Sequence, residues 1–303
     1  MKRFTSGEIR SFVTTPLFSE KILLRRDPSW PRISIVTPSF NQGEFLERTI
    51  LSVLNQNYPN LEYIIIDGGS TDGSVEIIKR YERYLAYWVS EKDNGQSDAI
   101  GKGFQKSTGD ILAWLNSDDL NLVNTLQRAA EFLAPEKRVE IVYGNIYIVN
   151  ERDELISERR LTHCTPSMVR LGSLCGGFGI YQPASFWRRS AYDRVGGIDR
   201  SLKFCMDNDL FIKFALSGAR FEFMREYLVA FRVHHGSKTS TIPSVAKEEF
   251  NMLSVRYSLQ HNSLKGKVVW NFLRCVKVLL YIFQGDVGYL FFKIFKDKMR
   301  WVP

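Results

Sequence analysis

Ile111-Leu112-Ala113-Trp114-Leu115-Asn116-Ser117-Asp118-Asp119 is the stretch whose reading decides the fold. Its apolar front half reads as a buried parallel strand, and its polar end delivers adjacent carboxylates at the C-terminal edge of that strand. Open α/β sheets bind ligands at this edge. Two crowded carboxylates repel unless a cation lies between them or one takes up a proton, so a divalent metal carrying an anionic substrate is an economical reading. Asp118 is the first choice of ligand. The competing reading makes Asp118 or Asp119 the cap of a helix beginning near Leu122.

Upstream, Ile33-Ser34-Ile35-Val36-Thr37 is a β-prone run cut off by Pro38, and Ser39-Phe40-Asn41-Gln42-Gly43 is a polar loop. A helix follows over residues 44–55, with Phe45, Leu46, Ile50, Val53 and Leu54 on one face. Tyr63-Ile64-Ile65-Ile66 reads as a second buried strand. It runs into Asp67-Gly68-Gly69-Ser70-Thr71-Asp72-Gly73-Ser74, where glycines admit a ligand close to the backbone and Asp67 can accept from a base or sugar. Asp72 or Ser74 can cap a helix over 75–84, and the whole turn also reads as plain punctuation. After Tyr87-Trp88-Val89-Ser90, a third loop from Glu91 to Asp98 leads into a helix over 99–106 that Gly109 closes. Ser97 and Asp98 also fit the commoner role of N-cap, and Lys102 reads as solvated or as a phosphate contact. The repetition carries the weight: strand, polar loop and helix recur, and right-handed crossovers put every loop beside Asp118.

Taken together, the Thr37-Pro38-Ser39-Phe40-Asn41 loop, the DGGSTDGS turn from Asp67, the SEKDNGQSDAI segment from Ser90 and Asn116-Ser117-Asp118-Asp119 resemble the nucleotide-sugar-binding half of a family 2 glycosyltransferase in order and spacing. The resemblance implies a GT-A fold, an α/β architecture with a mixed central sheet. In it a Rossmann-like half grips a nucleoside diphosphate sugar and joins a half that receives the acceptor. It covers residues 32–240, with 32–120 as the nucleotide-sugar half and 121–240 as the acceptor half. Residues 1–31 then form a peripheral extension and 241–303 a helical tail.

Carried over position by position, the resemblance assigns donor contacts to Thr37, Pro38, Ser39, Asn41, Asp67, Gly69, Asp93, Gln96, Asp98, Asn116 and Ser117, and a Mn²⁺ or Mg²⁺ ion to Asp118. The sequence departs from the family pattern at several points. Asn116 opens the DxD motif where an aspartate is usual, so an amide meets the ribose. Gly68 stands where many relatives carry a second aspartate that reads uracil, and Gly101 stands where Asn is common.

The second half begins with Val139 to Val149, read as two short strands split by Gly144, followed by the polar run Glu151-Arg152-Asp153-Glu154. Cys175-Gly176-Gly177-Phe178-Gly179 is a glycine-rich loop, and Gln182-Pro183-Ala184-Ser185-Phe186-Trp187 leads into a helix ending at Gly196-Gly197. Phe186 and Trp187 read as core, with stacking on a sugar face as the functional alternative. Met206-Asp207-Asn208-Asp209-Leu210 opens an amphipathic helix with Leu210, Phe211, Phe214 and Ala215 inward. An aspartate there is by default a cap. The resemblance maps the family's catalytic base onto Asp207, with Met206 in place of the preceding glutamate and Asp209 as the fallback. Phe231-Arg232-Val233-His234 resembles the family's RxH segment, where His234 is either structural or completes metal or diphosphate binding.

The mechanism these parts imply is transfer with inversion. A nucleoside diphosphate leaves poorly until its charge is neutralised, which a Mg²⁺ or Mn²⁺ at Asp118 and His234 would do without a protein general acid. Asp207 would take the proton of an acceptor hydroxyl as it attacks the anomeric carbon. Glycoside hydrolysis differs in needing two carboxylates about the bond.

Composition supports this frame. The chain of 303 residues is 44% hydrophobic and 24% charged, enough for a substantial core, and its net charge of +8 favours anionic partners. Cys164, Cys175, Cys205 and Cys275 show no metal or disulfide spacing, which suits free thiols in a reducing compartment. Residues 1–31 lack the unbroken apolar core of a secretory signal. Beyond Ser240, apolar runs around Val268 to Phe283 and Tyr289 to Phe295 are interrupted by Arg274, Lys277 and Lys293, and neither reaches the ~20 residues of a membrane span. Basic residues among aromatics suit helices lying in a membrane interface, which places the enzyme in the cytoplasm at the inner face of the cell membrane. A second subunit, a homodimer in its simplest form, is the alternative cover for that surface. The expected partners are therefore a nucleoside diphosphate sugar, UDP-linked by preference, and a saccharide or lipid-linked acceptor of cell-surface polysaccharide synthesis, with no nucleic acid. Two rival readings are a sugar nucleotidyltransferase, which would want a basic glycine-rich loop where Pro38 to Gly43 has no Lys or Arg, and a non-catalytic, membrane-bound nucleotide-sugar-binding protein.

Overall fold

The computed structural model describes residues 2–175, 179–237, 242–258 and 264–295. Its first half obeys the period-2 rule of buried strands. β1 (Ile33–Ser39), β2 (Leu61–Asp67), β3 (Tyr87–Ser90) and β4 (Ile111–Trp114) are parallel and lie in the order β3-β2-β1-β4. Val36, Ile64, Ile66, Leu112 and Trp114 point to one face, while Ile35, Tyr63, Ile65 and Ala113 point to the other. Each face needs a cover, and the crossover helices provide it. α3 (Gly43–Leu54) and α4 (Ser74–Tyr81) shield one side and α5 (Gln96–Lys106) the other. Ser39 pairs with Asp67, and Asp67 with Ser90, so the loops after β1, β2 and β3 leave the sheet at one level.

The sheet then turns mixed. Beyond β4 come β8 (Ser185–Arg188), β6 (Ile141–Val149), β9 (Phe221–Arg232) and β5 (Leu120–Asn121), with β7 (Leu155–Arg159) paired to β6, for nine strands in all. β4 and β5 are adjacent in sequence but separated in the sheet by β8, β6 and β9. The turn that joins them, Leu115 to Asp119, therefore crosses the upper edge of the sheet. Thr49 on α3 holds it there by donating to the carbonyls of Ser117 and Asp119 at 2.9 and 2.8 Å.

Several elements differ from the sequence reading. β6 is one strand rather than two, because Gly144 permits the close approach of β9; a Cβ there would stand 2.6 Å from Leu228. Ser185 to Arg188 forms a strand, and only Arg189–Arg194 (α8) is helical. Trp187 is fully buried, its ring 5.5 Å from that of Trp114. Phe186 is buried as well, so both are core and neither meets a sugar. α6 (Thr125–Phe132) starts after β5, with Asn124 as its left-handed N-cap, so Asp118 and Asp119 cap no helix. The expected glycine-rich loop at Gly176, Gly177 and Phe178, and the domain boundary at Ser240, lie outside the described residues.

The flanking segments are integral to the molecule. α1 (Ser6–Thr14) carries a Thr5/Glu8 capping box and inserts Ile9, Phe12 and Val13 beside Leu120, Leu122, Tyr147 and Val149, and the short α2 (Glu20–Arg25) buries Leu23. α1 thus covers the β5 end of the sheet, while Phe18 and Glu20 meet Tyr84 and Arg83 beside the parallel strands. α7 (Pro166–Cys175) and α9 (Met206–Leu216) pack on the α5 side, and α10 (Pro243–Arg256), α11 (Leu264–Phe283) and α12 (Val287–Phe295) close over them. Leu253, Leu273, Tyr281 and Tyr289 are buried there, and Arg160 pairs with Asp286 at 2.7 Å. Among the described residues no helix is long and apolar enough to cross a membrane.

Candidate active site

A cleft of about 1200 Å³ lies over the upper edge of the sheet, where the parallel strands end. Its donor-side wall carries Pro38, Ser39, Gly69, Asp93, Gln96, Asn116, Ser117 and Asp118; its opposite wall carries Gln182, Phe204, Met206, Asp207 and Asn208, with Lys277 from α11. The two candidate motifs, distant in sequence, thus face one cavity.

The carboxylate pair divides its labour. Asp119 is buried and accepts from the Arg232 backbone N–H at 3.1 Å and the Asn116 amide at 3.2 Å. Burial first, and then the charge of Asp118, push its carboxyl well above the ordinary range. Asp119 is engaged by donors inside the protein, so adjacency alone does not call for a cation. The case for one rests instead on Asp118, which is half-buried in the cleft wall with its Oδ2 3.0 Å from Nε2 of His234. His234 is itself buried against Phe45, ring centroids 4.6 Å apart.

Among the described residues no group of three or more His, Cys, Asp or Glu side chains stands close enough to hold a metal. The Asp118–His234 pair fits Mg²⁺ or Mn²⁺ nonetheless, because such ions take one or two protein ligands and complete their shell with phosphate oxygens and water. Arg232 braces this corner. It is fully buried, donates from Nε to the Asp118 carbonyl at 2.8 Å and pairs with Asp153 at 2.5 Å, while burial lowers its pKa. In the sequence, the one signal for Arg232 is its place in the RxH-like segment.

Other expected donor residues serve the loops rather than the cavity. Asp67 is fully buried and accepts from Gly69 N, Ser70 N, Ser70 Oγ and Ser90 Oγ at 2.6–3.1 Å, which leaves it little capacity for a base or sugar. Thr37 is buried against Tyr63, hydroxyl to hydroxyl at 3.1 Å. Asn41, in the left-handed region at φ 50°, accepts from Thr71 N at 2.9 Å while its own N–H donates to Ser70 Oγ, tying the first loop to the second. Asp98 lies within α5 rather than at its cap and pairs with Arg200 Nε at 2.9 Å and Lys102 at 3.5 Å. Lys102 is thereby a partner of carboxylates, not a free phosphate contact.

Asp93 does reach the cleft, over Gly68. A Cβ on Gly68 would stand 2.9 Å from Asp93 Oδ2, so the missing side chain makes room for this carboxylate. Burial raises the Asp93 pKa above its ordinary value. Gln96 donates to the Asn116 side chain at 2.7 Å, orienting the amide that opens the DxD-like motif. Gln182 donates to the Trp114 carbonyl at 2.6 Å at the cleft floor, a role no pattern in the sequence announced.

Across the cleft, Asp207 occupies the first turn of α9. It accepts from the Asn208 N–H at 2.8 Å and does not cap the helix. Burial raises its carboxyl to about 6, the range of a group that trades protons near neutral pH. Asp209, the fallback, faces away from the cavity. It is fully buried and held by Lys213, Arg256 and the Tyr257 hydroxyl at 2.7, 3.0 and 2.6 Å. A carboxylate so engaged is a poor acceptor for a substrate proton.

Comparison with known proteins agrees with this geometry. The Glycosyl transferase family 2 model matches residues 34–196. A glycosyltransferase of Mycobacterium tuberculosis, named as uncharacterized, is 33% identical over 190 residues, covering 62% of this chain and 70% of its own. TarS of S. aureus in complex with UDP-GlcNAc superposes with a TM-score of 0.57 at 16% identity, over 80% of this chain and 79% of that one. The mannosyltransferase PcManGT from Pyrobaculum calidifontis, in complex with GDP-Man and Mn²⁺, gives 0.55 at 16% identity over 96% and 88%. At such identities the superpositions speak to fold, and the fold is GT-A. The sequence match covers more than half of the chain, from β1 to the end of α8, and on it the chain belongs to glycosyl transferase family 2.

Proposed function

We propose that this glycosyltransferase is inverting and moves a sugar from a nucleoside diphosphate, UDP by preference, to an acceptor hydroxyl, with Asp207 as general base. The observation that carries the reading is that Asp118 and Asp207, 89 residues apart in sequence, line one cleft. Asp207 suits the base because it lines the cavity, has a raised pKa and is held by backbone N–H groups of its own turn with no cationic partner at hydrogen-bond distance among the described residues. Asp118 with His234 would hold a divalent ion, and that ion, when bound, would neutralise the leaving diphosphate as a Lewis acid. Asn116, aligned by Gln96, meets the ribose, and Ser39, Gly69 and Asp93 line the end of the cleft where the nucleoside lies. UDP-GlcNAc in TarS and GDP-Man with Mn²⁺ in PcManGT support the class of donor and metal.

The acceptor is a saccharide or a lipid-linked saccharide presented at the cytoplasmic face of a membrane. Val268, Phe272, Leu279, Ile282 and Phe283 are exposed along α11 at helical spacing, and Phe291 extends the stripe onto α12, with Lys267 and Arg274 also exposed on α11. That α11 also lends Lys277 to the cleft supports an acceptor that arrives from this side.

The deciding experiment is thermal denaturation against a panel of nucleoside diphosphate sugars with and without Mn²⁺. A donor raises the melting temperature only with metal present, and the same donor supports transfer with inverted anomeric configuration. Retention of configuration, or no stabilisation by any member of the panel, contradicts the proposal.

A further inference from the structure

The helix that carries Asp207 lacks a cap of its own. Cys205 occupies the N-cap position of α9 and makes no side-chain capping bond. The backbone N–H groups ahead of the helix are instead collected by a residue far along the chain. Glu249, on α10, accepts from Lys203 N at 2.6 Å through Oε1, and from Phe204 N and Cys205 N at 2.9 and 2.8 Å through Oε2. A carboxylate serving three consecutive N–H groups is a strong, charge-assisted anchor. α10 grips the same helix again where Arg256 and the following Tyr257 meet Asp209. Between these two grips sits Asp207.

We propose that Glu249 is a positioning residue for the transfer reaction: by capping α9 from α10 it fixes the first turn of α9, and with it the Asp207 carboxyl, against the donor side of the cleft. The inference rests on the reading of Asp207 as base. Local capping by Ser, Thr or Asp fixes a helix start relative to its own chain alone. Capping from α10 fixes it relative to a separate element that also lines the cavity through Phe250. Displacement of a reacting group by about 1 Å can lower turnover by about 10²-fold, so a loosened cap shows in kcat before it shows in donor binding.

The test compares Glu249→Gln with Glu248→Gln and Asp207→Asn in the full chain. Glu248 neighbours Glu249 on α10, is exposed, and changes charge in the same way. With Glu249→Gln, kcat falls at least tenfold while the donor Kd stays within about twofold, since the amide offers one oxygen where the carboxylate offers two. Glu248→Gln leaves both unchanged. Wild-type kcat in Glu249→Gln, or an equal loss in Glu248→Gln, overturns the inference. Should Glu249→Gln not fold, Glu249→Asp carries the same comparison: kcat lost with donor affinity retained supports it, and wild-type kcat overturns it. Wild-type turnover in Asp207→Asn would instead remove the reading beneath it, whatever Glu249 does.

Discussion

Nε2 of His234 lies 3.0 Å from Oδ2 of Asp118, joining the end of β9 to the turn after β4 across 116 residues of sequence. This contact ties the last long strand of the sheet to the turn that leaves its parallel part, at the wall of the cleft. It also holds the Asp118 carboxylate, through one oxygen, in the wall of the cleft.

Asp118→Asn tests that arrangement. The amide keeps the shape of the turn and a hydrogen-bonding partner for His234 but removes the charge that anchors a divalent ion. Calorimetry of the UDP-sugar should show Mn²⁺-dependent affinity reduced at least tenfold, with metal-independent binding unchanged. Equal Mn²⁺ enhancement in both proteins excludes Asp118 as ligand.

Asp207→Asn separates binding from chemistry. Donor affinity should be retained, and kcat should fall by about 10²-fold or more because an amide accepts no proton. In the wild type, the base must be ionised, so kcat should rise with pH through a limb near 6. The sign for stability is the reverse. A carboxyl whose folded pKa is raised binds its proton more tightly in the folded state, so its contribution is favourable at low pH and is lost as pH rises through about 6. Asp207→Asn should therefore stabilise the protein at pH 7–8, by on the order of 2 kcal/mol. Denaturation midpoints at pH 5 and pH 8 that shift equally on mutation would count against it.

Much of the site was legible because the first half repeats one local rule. The runs 33–37, 63–66 and 111–115 are too short for helices and too apolar for exposed strands, and each is followed by a polar stretch, glycine-bearing after the first two. Parallel topology then forces the loops together without further information. The identity of the side chains that reach the cavity was less legible. Asp67 and Asp98 sit in the motif, yet one is consumed by four loop donors and the other by Arg200. Which lone pairs remain open is a property of tertiary packing that no spacing records. The strand at Ser185 to Arg188 has no signal of its own for a related reason: a short apolar run is periodic with either structure, and β4 and β6 on its two sides make it a strand. α11 was half read, since its apolar residues occupy both faces and the sequence does not say which face the protein covers.

Arg232 provides a test of the scaffold. Its side chain bonds the Asp118 carbonyl, the Asn150 carbonyl and Asp153, and its guanidinium lies 4.8 Å from the Phe45 ring centroid. Arg232→Ala takes this donor from the Asp118 carbonyl, although the Asn150 carbonyl keeps the Asp153 N–H at 3.1 Å and Asp153 keeps Arg48 at 2.7 Å. A loss of about 3 kcal/mol in stability is expected, the lower end for breaking a buried ion pair. Urea denaturation measures it, and a loss under about 1 kcal/mol would show that the network is not holding the turn.

The surface of α11 and α12 offers the sharpest test of location. Deleting everything beyond Leu264 would be the obvious experiment, but it removes Leu273, Tyr281 and Tyr289 from the core and strips Arg160 of Asp286. Such a chain is expected to unfold, and its failure to bind liposomes would mean nothing. Substituting outward residues avoids this. Phe272, Leu279 and Phe283 are 65%, 53% and 84% exposed, so Ser at all three removes apolar surface while leaving the packed face intact. If the stripe lies in a membrane interface, apolar burial holds it there and each nearby Lys or Arg adds about 1 kcal/mol toward anionic headgroups. Binding to phosphatidylserine vesicles should then weaken with salt without vanishing, and the triple variant should bind at least tenfold more weakly with unchanged melting temperature and UDP-sugar affinity. A wild-type protein that ignores such vesicles but sediments as a dimer, and a variant that sediments as a monomer, would assign the stripe to a second copy of the chain. The two outcomes separate because salt weakens the membrane contact, whereas an apolar dimer face is held or strengthened by it.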